Sequence, residues 1–189
     1  IFVDMYKEYL MDFYTNSPEE VKKYKGYCIL AVDGSMFEIP NTKELREAFK
    51  TQKNSSGHRE SARARVSGIY DVENEFILDA VITDCGQGEK ELAKANIEKT
   101  GEIVDLKKCI IIFDRGYPGI ELIWHLEKLG VKYIFRLQNT NMYEKEKKSM
   151  TSNDEWVALK VDGDRLRKVD DENTKQELKG KKTISVRIS

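Results

Sequence analysis

Two aspartates stand in matched surroundings. Asp33 is the first polar residue after the apolar run 27–32, and Asp114 is the first after the run 109–113. If the two runs are strands lying side by side and parallel, with strand order reversing between them, both carboxylates emerge in the crevice where open α/β sheets bind ligands. Carboxylates converging at a sheet edge repel one another, and a bound cation relieves that repulsion. With oxygen donors only and no cluster of Cys and His, the cation expected is Mg²⁺ or Mn²⁺ rather than zinc. Taken singly, each aspartate also reads as a turn residue: Asp33-Gly34 is an ordinary turn dipeptide, and Asp114-Arg115-Gly116 suits a turn with a local ion pair.

The elements that must position these residues follow from apolar spacing. Residues 1–14 place Phe2, Met5, Tyr6, Tyr9, Leu10 and Phe13 near helical spacing. Asn16-Ser17-Pro18-Glu19-Glu20 then predicts a new helix start, with Ser17 as cap and Pro18 in the first turn. Residues 27–32 read as a strand buried on both faces that ends at Asp33, with 36–39 as a second short extended piece. Residues 42–49 read as a helix capped by Asn41 or Thr42. Residues 62–72 and 76–83 form a hairpin across Glu73-Asn74-Glu75. A helix follows over 88–99, closed by Gly101. After the apolar strand 109–113, Pro118 opens a helix that turns Ile120, Ile123, Trp124 and Leu126 or Leu129 inward, and Gly130 stops it. A further strand covers 132–137.

From Asn139 onward the composition shifts. Residues 139–189 hold 12 Lys and Arg against 10 acidic residues and only small apolar clusters. Asp162-Gly163 reads as a hairpin turn, so a small polar β extension is expected. The chain thus divides into a helical segment, 1–26, an α/β core, 27–138, and a β-rich segment, 139–189.

Composition narrows the field. A length of 189 residues suits one domain, or one domain with part of another. The formal net charge of −1 excludes a uniformly basic protein that coats DNA by bulk electrostatics. That average conceals a split: residues 43–65 carry seven basic and three acidic groups, whereas 66–114 carry 5 Lys against 11 acidic groups. No apolar run approaches the roughly 20 residues of a bilayer span, and no signal peptide is visible. Three cysteines without C-x-x-C spacing suggest a reduced, cytoplasmic protein. The start without Met and the unclosed alternating pattern 183–189 lead us to expect a piece of a longer chain.

The residues around the two aspartates resemble a known family. Ala31-Val32-Asp33-Gly34-Ser35 and Ile112-Phe113-Asp114-Arg115-Gly116-Tyr117-Pro118-Gly119 look like the first and second acidic motifs of bacterial DDE transposases, most of all the insertion-sequence-four group. The resemblance covers roughly residues 27–138. It implies an RNase H-like mixed sheet flanked by helices, and 139–189 then fits the start of an inserted β segment. It also implies a two-metal Mg²⁺ or Mn²⁺ site held by two Asp and one Glu, which cleaves phosphodiesters and transfers strands in DNA transposition. Asp33 and Asp114 take the two aspartate roles, as catalytic residues and metal ligands. The family's Glu helix pattern, Tyr-x-x-Arg-x-x-x-Glu-x-x-x-x-x-x-Lys, has no match here, and Glu177 lacks those neighbours. The third acid is expected beyond Ser189, which leaves these 189 residues weak in metal binding and inactive alone.

The partners implied are DNA, as element ends and target, and a second copy in the full-length protein. Lys53 and Arg59, in the polar stretch 52–59, are candidates to meet phosphates. So are Arg63 and Arg65, which share one strand face. Arg115 is read as a phosphate contact or a partner of Asp114, and Tyr117 as a base-stacking residue or a packed one at the helix start. His58 and His125 have no metal-binding neighbours. The alternatives are another RNase H-like metal-dependent nuclease, or a non-catalytic DNA-binding domain derived from a transposase.

Overall fold

The computed structural model describes residues 2–53, 60–137 and 143–188. In chain order the elements are α1 (Phe2–Asn16), β1 (Cys28–Glu38), α2 (Lys43–Phe49), β2 (Thr51–Lys53), β3 (Glu60–Asp71), β4 (Phe76–Asp84), α3 (Glu89–Thr100), β5 (Cys109–Phe113), α4 (Ile120–Leu129), β6 (Lys132–Phe135), α5 (Glu144–Ser149), β7 (Glu155–Lys160), α6 (Gly163–Leu166), α7 (Glu172–Lys179) and β8 (Thr183–Ile188). None of the described helices is long and apolar enough to cross a membrane.

The main sheet runs β4-β3-β1-β5-β6, with the short β2 also paired to β3. β3 is antiparallel to both β1 and β4, while β5 and β6 run parallel to β1. This is the RNase H-like mixed sheet expected from the sequence. Strand order reverses between β1 and β5, the condition under which the two aspartates become neighbours.

Apolar residues at alternate positions build the core on one face. Leu30 and Val32 of β1, Ile69 of β3, Leu78 of β4, and Ile111 and Phe113 of β5 are buried together with Leu10 of α1, Ala93 and Ile97 of α3, and Leu122 and Leu126 of α4. The opposite face is open: Phe37, Tyr70, Ile77, Ile82, Ile112 and Ile134 are all exposed. The expectation that 27–32 is buried on both faces is therefore corrected. Burial alternates along β1 because α1, α3 and α4 cover one side.

Three further expectations are corrected. β1 does not end at Asp33 but runs on through Glu38, because β3 continues to pair with it as far as Arg63. Ser17–Glu20 is a turn closed by Glu20 N donating to Ser17 O (3.0 Å), not a helix start; it delivers Val21 into the core. Asp162 caps α6, its side chain accepting from Arg165 N (3.0 Å), so no hairpin turn forms there. β7 and β8 do pair antiparallel, but α6 and α7 separate them in sequence. This C-terminal part packs Leu159, Val169, Leu178 and Ile184 against Ile120 and Ile123 of α4, forming a second core.

Candidate metal centre

Val32 and Phe113 are register partners on the parallel strands β1 and β5. Asp33 and Asp114 each follow by one residue, and neighbouring strands lie about 4.8 Å apart. Alternation turns both side chains away from the buried face, and both residues are exposed. The sequence-predicted pair is thus brought together at one sheet edge, on the side of the open apolar face. Asp33 Oδ1 accepts from Gly34 N (2.8 Å), an Asx contact that orients the carboxylate.

The same edge carries more than the sequence reading named. Phe135 of β6 pairs with Phe113, so Arg136 occupies the place on β6 that Asp114 occupies after β5. Its Nη1 lies 3.8 Å from Asp114 Oδ1, and its backbone N donates to Phe113 O (3.0 Å). Both side chains are largely exposed, so solvent screens this pair and leaves Asp114 open to a stronger cation. β4 also runs parallel to β1, by two antiparallel steps, so α3 begins at this edge with Glu89 as its first residue. A Cβ placed on Gly34 would lie 3.6 Å from Glu89 Cγ, and one on Gly116 would lie 3.9 Å from Glu89 Oε2. Glu89 therefore spans the gap between the strand of Asp33 and the loop of Asp114. The spatial rule that every strand parallel to β1 ends here would have found both Arg136 and Glu89. Neither follows a run as apolar as the two that mark the aspartates.

The remaining candidates are placed as follows. Arg65 donates to Glu89 Oε1, and Arg63 lies 3.8 Å from Glu38. The two do share a face of β3, but it is the helix-covered face, opposite the one toward which Asp33 points. Lys53 is exposed at the end of β2, and Arg115 is exposed beside Asp114. Arg59 and His58 lie outside the described residues. Tyr117 is 3 % exposed with its ring against Phe113 (5.6 Å), so packing at the helix start, and not base stacking, is the outcome found. Burial, reinforced by Glu89 and then Asp33, pushes the Tyr117 phenol well above its ordinary range and keeps it a proton donor. Glu177 stands on α7, where it accepts from Trp124 Nε1 (2.6 Å) and pairs with Lys128 (2.9 Å). These two partners hold its carboxyl below the usual range. His125 packs within α4, 3.7 Å from Glu98, and burial lowers its pKa.

The donor chemistry suits a hard divalent cation: two exposed carboxylates on adjacent strand ends. Among the described residues no three His, Cys, Asp or Glu side chains lie close enough to hold an ion.

The family model described as transposase DDE domain matches residues 24–187. A curated relative, the transposase InsG for insertion sequence element IS4 from Escherichia coli (strain K12), is 25% identical over 138 residues, covering 72% of this chain and 30% of its own. The chain therefore spans less than a third of that relative. Among solved structures, a piggyBac transposase synaptic complex with hairpin DNA is similar at a TM-score of 0.45 and 12% identity, over 70% of this chain and 30% of that one. A Mos1 mariner paired end complex with Mn is similar at a TM-score of 0.38 and 9% identity, over 75% of this chain and 52% of that one.

Proposed function

The chain belongs to the transposase DDE domain family, and on that premise we propose that Asp33 and Asp114 are the two aspartates of a divalent-cation site that breaks and rejoins DNA phosphodiesters during transposition. The observation that carries this reading is their placement, one residue beyond the register partners Val32 and Phe113 on adjacent parallel strands. Mg²⁺ or Mn²⁺, as a two-metal site, would supply Lewis-acid stabilisation of the attacking and leaving oxygens at phosphorus. The chain's own part is to hold two carboxylates side by side and leave one flank open to a DNA strand. Arg136 partly neutralises Asp114 until a cation replaces it. Arg115, exposed at the same edge, stands where a phosphate would approach; Lys53, and Arg59 outside the described residues, are further candidates for phosphate contact.

The reading has further parts. Residues 1–26, 27–138 and 139–189 are taken as a helical lead-in, the catalytic core and the start of an inserted segment. The chemistry needs a third acid, which we place outside these 189 residues, so the chain by itself binds metal weakly and cleaves poorly. DNA ends and target are its substrates, the longer protein acts as a homodimer, and its setting is the bacterial cytoplasm.

Two measurements on the 189-residue chain test this reading. Mn²⁺ is expected to raise the unfolding temperature of the wild type but not of Asp33→Asn or Asp114→Asn. An equal rise in all three would remove the aspartates from the metal site. Supercoiled plasmid with Mn²⁺ is expected to stay intact. Robust nicking that Asp33→Ala abolishes would overturn the need for an outside acid.

A further inference from the structure

We propose that Glu89 is an additional cation ligand supplied by this chain, held back by Arg65 and received by the Tyr117 hydroxyl when a divalent ion binds between Asp33 and Asp114. The inference rests on the reading of those aspartates as cation ligands. It adds a carboxylate to the site and does not replace the third acid expected from outside the chain.

Three observations carry it. The first is position. β1 runs on to Glu38 while its pairing with β5 stops at Val32, so beyond Asp33 no described strand lies on that edge of β1. Glu89 lies beside this gap, near both Gly34 and Gly116. Its carboxylate approaches from the helix-covered side the edge at which both aspartates emerge on the other. Glycine at position 34 matters for this: a Cβ there would stand 3.4 Å from Tyr117 Oη and 3.6 Å from Glu89 Cγ, in the space a turning Glu89 would use.

The second observation is an unsatisfied donor. Tyr117 is almost wholly buried, yet among the described residues its hydroxyl has no hydrogen-bond partner. A buried O–H without an acceptor costs roughly 1–3 kcal/mol, and such groups are rare enough to need a reason. Glu89, Asp33 and Asp114 all act electrostatically on this hydroxyl. A Glu89 carboxylate swung toward the aspartates would accept from Tyr117 with one oxygen and face the cation with the other.

The third is the alternative partner. In the present arrangement Glu89 is held by Arg65, whose Nε is itself buried without an acceptor among the described residues. Glu89 is half-exposed and its helix has only begun, so the side chain turns without moving the core. Clustered anions at the edge disfavour the swing until a cation arrives. Metal binding and release of Arg65 are then one event.

The test titrates the 189-residue chain with Mn²⁺ alone, reading free Mn²⁺ by its electron paramagnetic resonance signal. Glu89→Gln is expected to weaken binding about tenfold or more, comparable to other losses at metal sites. Arg65→Gln is expected to tighten it, since the competing partner is gone. Tyr117→Phe should weaken it and should abolish a tyrosine absorption difference that Mn²⁺ produces in the wild type. Glu89→Gln and Arg65→Gln break the same ion pair, so a purely structural clasp would shift affinity in the same direction for both. Shifts in the same direction, or a Glu89→Gln affinity equal to wild type while Asp33→Asn loses binding, overturn the proposal and leave the aspartate reading standing. Absence of saturable binding in the wild type overturns both. If Glu89→Gln does not fold, Arg65→Gln decides alone: tighter binding supports the proposal, and unchanged or weaker binding overturns it.

Discussion

Asp33, Asp71 and Asp114 each follow an apolar strand residue, and their surroundings separate them. Asp33 and Asp114 are exposed, whereas Asp71 at the end of β3 is 0 % exposed. Asp71 accepts from Tyr14 Oη (2.7 Å), from the backbone N of Glu73 and of Asn74 (3.1 Å each), and from Asn74 Nδ2 (2.9 Å). It closes the β3-β4 turn and ties α1 to the sheet. Asp71→Ala would remove the acceptor of several part-buried donors at once, an expected loss of about 2–4 kcal/mol in urea unfolding, against about 1 kcal/mol for Tyr14→Phe. The two metal candidates were legible because long apolar runs precede them. The role of Asp71 was not, since its tie to α1 comes from Tyr14, 57 residues away. Glu89 and Arg136 were missed for a related reason: their place is defined by strand direction, which one sequence leaves open until pairing is known.

At the scale of elements, local signals worked where a single residue sets a boundary. Gly130 ends α4 with φ +67, a left-handed conformation that glycine adopts without strain. The nearest atoms to an added Cβ there are 3.7 Å away on the flexible Lys107 side chain, so space is not limiting. Gly130→Ala should therefore cost only the backbone penalty, about 1–2 kcal/mol in thermal or urea unfolding, with the fold retained. A much larger loss would mean that the loop between α4 and β6 cannot relax around the change. Thr42, caught as one of two caps, accepts from Leu45 N (3.3 Å). The signals failed where one pattern serves two structures. Asp-Gly suits a hairpin turn and a helix cap alike, and at Asp162 the cap wins because Leu166, at the end of that short helix, packs against the second core. Ser-Pro-Glu-Glu likewise suits a helix start, but here the chain must turn at once to seat Val21.

Across the whole molecule, the charge surplus of residues 43–65 is smaller in space than in sequence. Lys50 pairs with Asp84 (2.8 Å), Arg63 with Glu38, and Arg65 with Glu89, each drawing on an acid from outside that stretch. The uncompensated positive charge of that stretch is therefore smaller than the count of seven suggests. The more decisive asymmetry is between the two sheet faces, and it sets the last prediction. Ile111 is 0 % exposed beneath the helices, whereas Ile82, on the face from which Asp33 and Asp114 emerge, is 65 % exposed. Removing methylenes beneath the helices leaves a cavity, so Ile111→Ala should lose about 2–5 kcal/mol. Ile82→Thr keeps a β-branched residue on the strand and removes little buried area, so the 189-residue chain should change by less than about 0.5 kcal/mol. Urea unfolding of both variants measures the contrast. A loss at Ile82 comparable to that at Ile111 would mean that the open face is covered in solution, by a second copy or by residues outside those described. Repeating the Ile82 measurement across protein concentrations separates these, because only a cover by a second copy weakens on dilution.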